Sequence, residues 1–191
     1  MSGGYILYRG GTALLSPLAR LFLAARVRRG KEDSARLEER LGRSRIARPA
    51  GALVWLHGAS IGESLALLPL IARLRQRGFA VLLTTGTTSS AQVLATRLPP
   101  GVLHQFAPLD LPGVMRAFLD HWLPAALVLA ESELWPNMIH ACFARSAGSV
   151  TEAGTAASFA FQCAGEAMNR LLMLIGRKES GSDVVSSTVM S

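Results

Sequence analysis

From residue 51 onward the chain alternates short apolar runs with longer stretches of helical period. Residues 52–56, Ala-Leu-Val-Trp-Leu, make a continuous apolar run of the kind a buried strand shows. Over residues 65–77 the period becomes helical, with Leu67, Leu68, Ile71 and Leu74 on one side and Arg73, Arg75 and Arg77 on the other. Gly78 stands where a helix C-terminus favours a left-handed residue. Pro69 falls near the first turn, where a missing N–H is tolerated. The same alternation predicts strands at 80–84, 102–106 and 125–130, and helices at 90–97, 111–122 and 134–145. Four strand-then-helix units with short connections predict an α/β fold, a Rossmann-like parallel sheet covered on both faces.

Before residue 51 the pattern differs. Apolar stretches at 5–8, 13–19 and 21–25 are interrupted by Arg9 and Arg20, leaving far fewer than the roughly 20 clean residues that span a bilayer. The basic residues follow the apolar stretch, the reverse of a secretory signal. Arg26, Arg28, Arg29 and Lys31 come directly after it. That order predicts a helix lying in a membrane interface, its cations on anionic head groups. The plainer alternative is an amphipathic helix packed on its own domain, with the arginines solvated. Residues 31–45 read as a short charged helix ended by Gly42, and 45–51, with Pro49, as a linker. The expected organisation is a membrane-associated helix at 1–30, a charged helix and linker at 31–50, a Rossmann-like domain at 51–145 and a divergent tail at 146–191.

Charge sharpens this division. The 191 residues are 50% hydrophobic and 17% charged, which excludes disorder throughout. Residues 1–50 carry 11 Lys and Arg against 4 Asp and Glu, and the remainder 9 against 9. The formal charge of +7 therefore belongs to the N-terminal segment. No aromatic residues interleave its cations, so nucleic acid is not an expected partner. Two cysteines, Cys142 and Cys163, make neither a disulfide framework nor a zinc cluster. His57, His104, His121 and His140 lack ligand spacing, so no metal site is expected. No dinucleotide or phosphate-loop glycine motif occurs.

Parallel sheets bind ligands at the carboxyl ends of their strands. There the chain places His57-Gly58-Ala59-Ser60-Ile61-Gly62-Glu63, the hydroxyl-rich run Thr84-Thr85-Gly86-Thr87-Thr88-Ser89-Ser90, Pro108-Leu109-Asp110, and Glu131-Ser132-Glu133-Leu134-Trp135-Pro136-Asn137. Glu63 opens a helix after a glycine, as a general base facing a polar crevice would; an acid in a helix's first turn is also favoured by the macrodipole alone. Gly58 and Gly62 would let backbone approach a ligand. Glu131 and Glu133 would bind sugar hydroxyls or an amine, or cap the next helix. The 84–90 run would hold a sugar or phosphate, or is a loop chosen for turn propensity.

The first, second and last of these motifs, in that order and spacing, resemble the N-terminal half of the 3-deoxy-D-manno-oct-2-ulosonic acid (Kdo) transferases, over residues 5–145. The resemblance implies one half of a GT-B glycosyltransferase, whose two Rossmann-like domains face each other across a cleft. It implies transfer of Kdo from CMP-Kdo to the lipid A precursor at the cytoplasmic face of the inner membrane, without a metal or other cofactor. By resemblance Glu63 is the base. Ser60, Gly62, Thr85, Thr87, Thr88, Glu131, Glu133 and Asn137 are expected to bind the acceptor, and Arg26, Arg28, Arg29 and Lys31 to meet the anionic membrane surface. After about residue 145 small and polar residues dominate, and no strand run stands where a fifth strand is expected. The tail reads as an out-of-frame extension, partly disordered, or else as the divergent end of a genuine short variant. The chain is then expected to be a truncated form lacking the donor domain, inactive alone, with CMP-Kdo a partner only if that domain is supplied. A second class stays open: a non-catalytic, membrane-associated sugar-binding or interaction module on the same sheet.

Overall fold

The structure, a computed structural model, describes residues 3–130, 135–148 and 160–162. Strands β1 Leu53–Gly58, β2 Ala80–Thr85, β3 Leu103–Phe106, β4 Ala126–Leu129 and β5 Ala160–Gln162 form a parallel sheet in the order β3-β2-β1-β4-β5. The helices are α1 Gly3–Leu15, α2 Ala19–Arg28, α3 Leu37–Arg40, α4 Ile61–Ala66, α5 Leu68–Gln76, α6 Thr88–Ala95, α7 Pro112–Trp122 and α8 Pro136–Gly148.

Side-chain alternation along the strands splits the core into two layers. Leu53 and Trp55 of β1 join Leu82, Leu127 and Leu129 beneath Met115, Phe118 and Trp122 of α7 and Met138 of α8. Val54 and Leu56 point the other way, with Val81, Leu83 and Val128, onto Leu70, Ile71 and Leu74 of α5 and Leu94 of α6. Every residue of β1 and β2 is buried, as expected of strands covered on both faces. Each such fully buried aliphatic side chain contributes about 1.5–3 kcal/mol of transfer free energy.

Three details depart from the sequence reading. The helix expected at 65–77 is two helices, because Leu67 ends α4 and Pro69 sits in the first turn of α5, where its ring nitrogen cannot continue the α4 ladder. The fifth strand, not expected from the tail's composition, exists: Ala160, Phe161 and Gln162 pair with Leu127, Val128 and Leu129. The charged stretch after residue 31 is a 3-10 turn, Ser34–Arg36, leading into the single turn of α3, and much of it is packed onto the domain.

Arg40 is only 5% exposed. Its guanidinium donates to Glu32 Oε2 (2.9 Å), the Ala107 carbonyl (3.0 Å) and the Gly86 carbonyl (2.6 Å), and lies over the Phe106 ring. Glu32, also buried, accepts a second bond from Arg26 Nε at 2.7 Å. Arg36 grips Glu39 with two bonds of 2.8 Å and stacks on Phe106 at 4.4 Å. Gly42 does end α3, at φ +77°, and a Cβ there would come within 2.3 Å of the Val114 carbonyl. The turn after α3 therefore fits flush against α7 only with glycine.

Two imidazoles share this buried polar layer. His57 Nδ1 lies 3.2 Å from the Thr84 carbonyl and 2.9 Å from Thr84 Oγ1. Burial pulls its pKa down to about 4, against the raising effects of the Thr84 carbonyl and the Glu63 charge. His104 Nε2 meets Thr85 Oγ1 at 3.0 Å, and its Nδ1 lies 3.2 Å from Arg36 Nη2. Burial, then Arg36 and Arg40, lower it to about 4 as well.

Two stability measurements check this layer. Arg40→Ala strips a buried pair and should cost about 3–5 kcal/mol in denaturant unfolding, whereas Arg43→Ala, whose pairing with Glu38 is exposed, should cost under about 1 kcal/mol. The histidines take up protons near pH 6.5 when unfolded but only near 4 when folded. Their contribution is therefore complete above about pH 6.5 and is lost as pH falls towards 4, at about 1.4 kcal/mol per pH unit for each. His104→Gln should roughly halve that slope; a flat profile between pH 6.5 and 4.5 would mean both are charged in the fold.

Candidate functional site

In the order β3-β2-β1-β4-β5 the chain runs outward from β1 to one edge, then returns to the other side of β1 to lay down β4. The carboxyl ends of β1 and β4 thus flank the switch point, where open parallel sheets hold their ligands.

At the end of β1, Ser60 is the N-cap of α4 and Glu63 its third residue. Ser60 Oγ accepts from Glu63 N–H (3.3 Å), while Glu63 Oε2 accepts from the N–H groups of Ala59 (3.0 Å) and Ser60 (3.3 Å). This is a complete capping box, with the carboxylate also favoured by the helix's positive end. Glu63 is thus held by backbone at the mouth of the central strand, half-buried beside an exposed Ser60. The glycines of this motif differ in role. A Cβ on Gly58 would meet Ser64 N and Oγ at 3.0 Å, whereas Gly62 faces open space. Gly58 is required for α4 to seat on the strand, with Ser64 Oγ donating to the carbonyls of Ser60 (2.7 Å) and Gly58 (3.1 Å); the open backbone is at Gly62 only.

The hydroxyl-rich run divides in the same way. Thr85 is buried and its Oγ1 is committed to His104, so it holds β2 to β3 and offers no ligand surface. Thr87 caps α6, accepting from Ser90 N–H at 3.1 Å. Thr88, one residue on, lines a recess of about 450 Å³ together with Glu32, Asp33, Arg36, Gln92 and Phe106. Sequence reasoning did not anticipate that recess. Its Arg36 comes from the stretch that reads as a short charged helix, and the signal for it is the three- and four-residue spacing of Glu32, Arg36, Glu39 and Arg40.

Glu131 and Glu133 lie outside the described residues. Asn137, just beyond them in the first turn of α8, is buried. Its Nδ2 donates to the Asp110 carbonyl (2.7 Å) and Thr12 Oγ1 (3.1 Å). The Asp110 carboxylate accepts from Asn137 N–H (3.1 Å), Met138 N–H (2.8 Å) and Tyr8 O–H (2.9 Å). Burial raises the Asp110 pKa against those three bonds, and burial with the neighbouring carboxylate pushes the Tyr8 phenol up to about 12. Asp110 thus clasps the start of α8 to α1, and Tyr5 stacks on His140 at 4.1 Å nearby. Of the cationic cluster, Arg26 is turned inward to Glu32, while Arg28, Arg29 and Lys31 are exposed. Among the described residues no group of three or more His, Cys, Asp or Glu is placed to hold a metal ion.

A family profile described as 3-deoxy-D-manno-octulosonic-acid transferase (kdotransferase) matches residues 35–160. The match runs past residue 145, where the sequence had been read as leaving the family, and reaches β5. A probable mitochondrial 3-deoxy-D-manno-octulosonic acid transferase of Arabidopsis thaliana is 45% identical over 139 residues, covering 72% of this chain and 31% of that protein. The 3-deoxy-D-manno-octulosonic acid transferases of Rickettsia bellii and Bordetella pertussis are 36% and 37% identical, over 66% and 69% of this chain and 31% and 32% of theirs. The chain thus spans about a third of the length of these relatives. With the profile covering most of its length and the capped Glu63 motif at the sheet's switch point, the chain belongs to the 3-deoxy-D-manno-octulosonic-acid transferase family.

Proposed function

We propose that this chain carries the acceptor-side machinery of a glycosyltransferase that moves Kdo from CMP-Kdo to the lipid A precursor in lipopolysaccharide assembly. The observation that carries the reading is the Glu63 carboxylate, fixed by two backbone N–H groups at the mouth of the central strand. In the proposed step an acceptor hydroxyl oxygen attacks the anomeric carbon of Kdo. The bond from that carbon to the CMP phosphate oxygen breaks, the hydroxyl proton passes to Glu63, and CMP leaves with the bonding electrons. A carboxylate already held in place needs no reorganisation as the proton arrives. The leaving group is a phosphate ester, stable as an anion, so the reading calls on no metal or organic cofactor. Glu131, Glu133, the exposed Ser60 and Gly62, and the half-buried Thr88 would orient the acceptor sugar.

The acceptor is a membrane lipid, and the N-terminal helices suit that location at a cytoplasmic membrane face. Leu7, Leu14 and Leu21 are 79%, 82% and 69% exposed, with Ile6, Leu15, Leu18 and Phe22 also open to solvent. So many large apolar side chains open to solvent on one pair of helices suit an apolar partner. No helix among the described residues is long and apolar enough to cross a membrane. The proposed mode is interfacial: apolar side chains in the head-group boundary, with Arg28, Arg29 and Lys31 on anionic lipid.

Glu63→Gln, assayed in the full-length context of the family, should lower turnover by roughly 10²-fold or more with acceptor binding retained. Glutamine still completes a capping box, so folding should survive and isolate the lost basicity. Near-normal turnover would return Glu63 to a capping role alone. For the membrane, flotation with anionic vesicles should fall steeply as salt rises and with Arg28→Gln/Arg29→Gln, while Leu14→Ser/Leu18→Ser should weaken it at any salt. Equal recovery with neutral and anionic vesicles would remove the electrostatic half.

A further inference from the structure

Among the described residues three buried side-chain atoms have no hydrogen-bond partner: His57 Nε2, Trp135 Nε1 and Asn137 Oδ1, of which the first two belong to rings in contact with each other beside the switch point. Such orphans are uncommon, and each asks for an explanation. His57 is completely buried at the carboxyl end of β1, and Trp135 immediately precedes α8. Their rings meet edge to face, centroids 5.9 Å apart at 88°. The rings are in contact, yet the two nitrogens do not bond to each other.

The backbone around His57 favours one tautomer. The Thr84 carbonyl can only accept, so its 3.2 Å contact to His57 Nδ1 is a hydrogen bond only in the tautomer with the proton on Nδ1. Trp55 Nε1–H donates to Thr84 Oγ1 (2.8 Å), which in turn donates to the Leu56 carbonyl (3.3 Å). This relay leaves Thr84 Oγ1 a second lone pair for the same Nδ1–H. A neutral imidazole with its proton on Nδ1 presents a bare acceptor at Nε2. The indole N–H of Trp135 is a donor only. One acceptor and one donor therefore sit on two rings in edge-to-face contact, both shielded from bulk solvent. A hydroxyl group, which donates one hydrogen bond and accepts another, is their complement.

We infer that His57 Nε2 and the Trp135 indole N–H form a buried subsite for a single hydroxyl group, which donates to the histidine and accepts from the tryptophan. The hydroxyl belongs either to an ordered water or to the sugar bound at the switch point. Only the second source rests on the function proposed above. Filling the subsite satisfies both ring nitrogens, each of which otherwise retains its desolvation penalty. It also gives His57 a part beyond packing: its orientation, set by Thr84, places an acceptor behind the strand end that carries Glu63. The depressed pKa of His57 keeps that acceptor unprotonated at neutral pH.

The test is nitrogen-15 NMR of the chain in detergent micelles, with Trp135→Phe and His57→Phe to assign the signals among 4 histidines and 3 tryptophans. Expected are an Nδ1–H tautomer for His57, an Nε2 resonance displaced from the free-imine position, and a downfield, exchange-protected Trp135 indole proton. Trp135→Phe should move the Nε2 resonance back towards the free position. A magnetisation-transfer peak from the indole proton to water, unchanged on adding lipid A precursor, identifies water as the source. Displacement of both signals by the precursor, with transfer to a sugar proton, identifies the sugar. An Nε2–H tautomer overturns the inference, as does a free-imine Nε2 beside an unbonded indole proton. If Trp135→Phe does not fold, the wild-type tautomer and indole shift still decide. A Glu63→Gln enzyme that keeps its turnover would sink the proposed function without touching these signals.

Discussion

The buried guanidinium of Arg40 is the tie on which the rest of this arrangement depends. It joins three chain segments distant in sequence: Glu32 before α3, the Gly86 carbonyl after β2 and the Ala107 carbonyl after β3. Carbonyls at the carboxyl ends of parallel strands have no further strand to bond to, and there Arg40 supplies donors in a fixed planar fork. Phe106 fills the face of the fork and receives Arg36 as well. The N-terminal segment is thereby drawn over the functional edge of the sheet, and the recess beside Thr88 exists because of it.

The fold was largely visible in the sequence because its signals are local and repeated. Apolar runs of strand length, helical periods between them and glycines such as Gly78 at helix ends define the alternation almost without tertiary information. The misses share a cause. Pro69 divides a helix because of a bond it cannot make, which periodicity does not register. Ala160, Phe161 and Gln162 are a strand only because β4 offers an open edge. Arg40 and Glu32 look like solvated charges until three other segments arrive to bury them. Composition describes what a residue prefers alone, and these residues are placed by partners up to 67 positions away.

The candidate site was legible to a similar depth. The motif ending in Glu63 was recognisable from its residues, and so were two readings of it, base and first-turn acid. The structure shows the capping bonds, and a carboxylate immobilised in this way is also well placed to take a proton. The two roles are compatible, since capping fixes the group's position and leaves its chemistry to what the crevice binds. Thr85 and Thr88 could not be told apart by type. The strand register turns Thr85 inward to His104, whereas Thr88, at the start of α6, opens onto the recess.

The clasp at Asp110 bears on how the apolar N-terminus should be regarded. Its exposed leucines invite treatment as a detachable anchor, to be shaved away for solubility. Yet the same helix sends Tyr8 to the Asp110 carboxylate and Thr12 to Asn137, at the first turn of the helix that follows the acidic motif. A shortened protein would leave a sequestered acid with fewer donors and α8 with a looser start. Trimming for tractability would therefore alter the geometry it was meant to preserve; replacing the outward leucines with polar residues, and leaving Tyr8 and Thr12 in place, gains solubility while keeping the clasp closed.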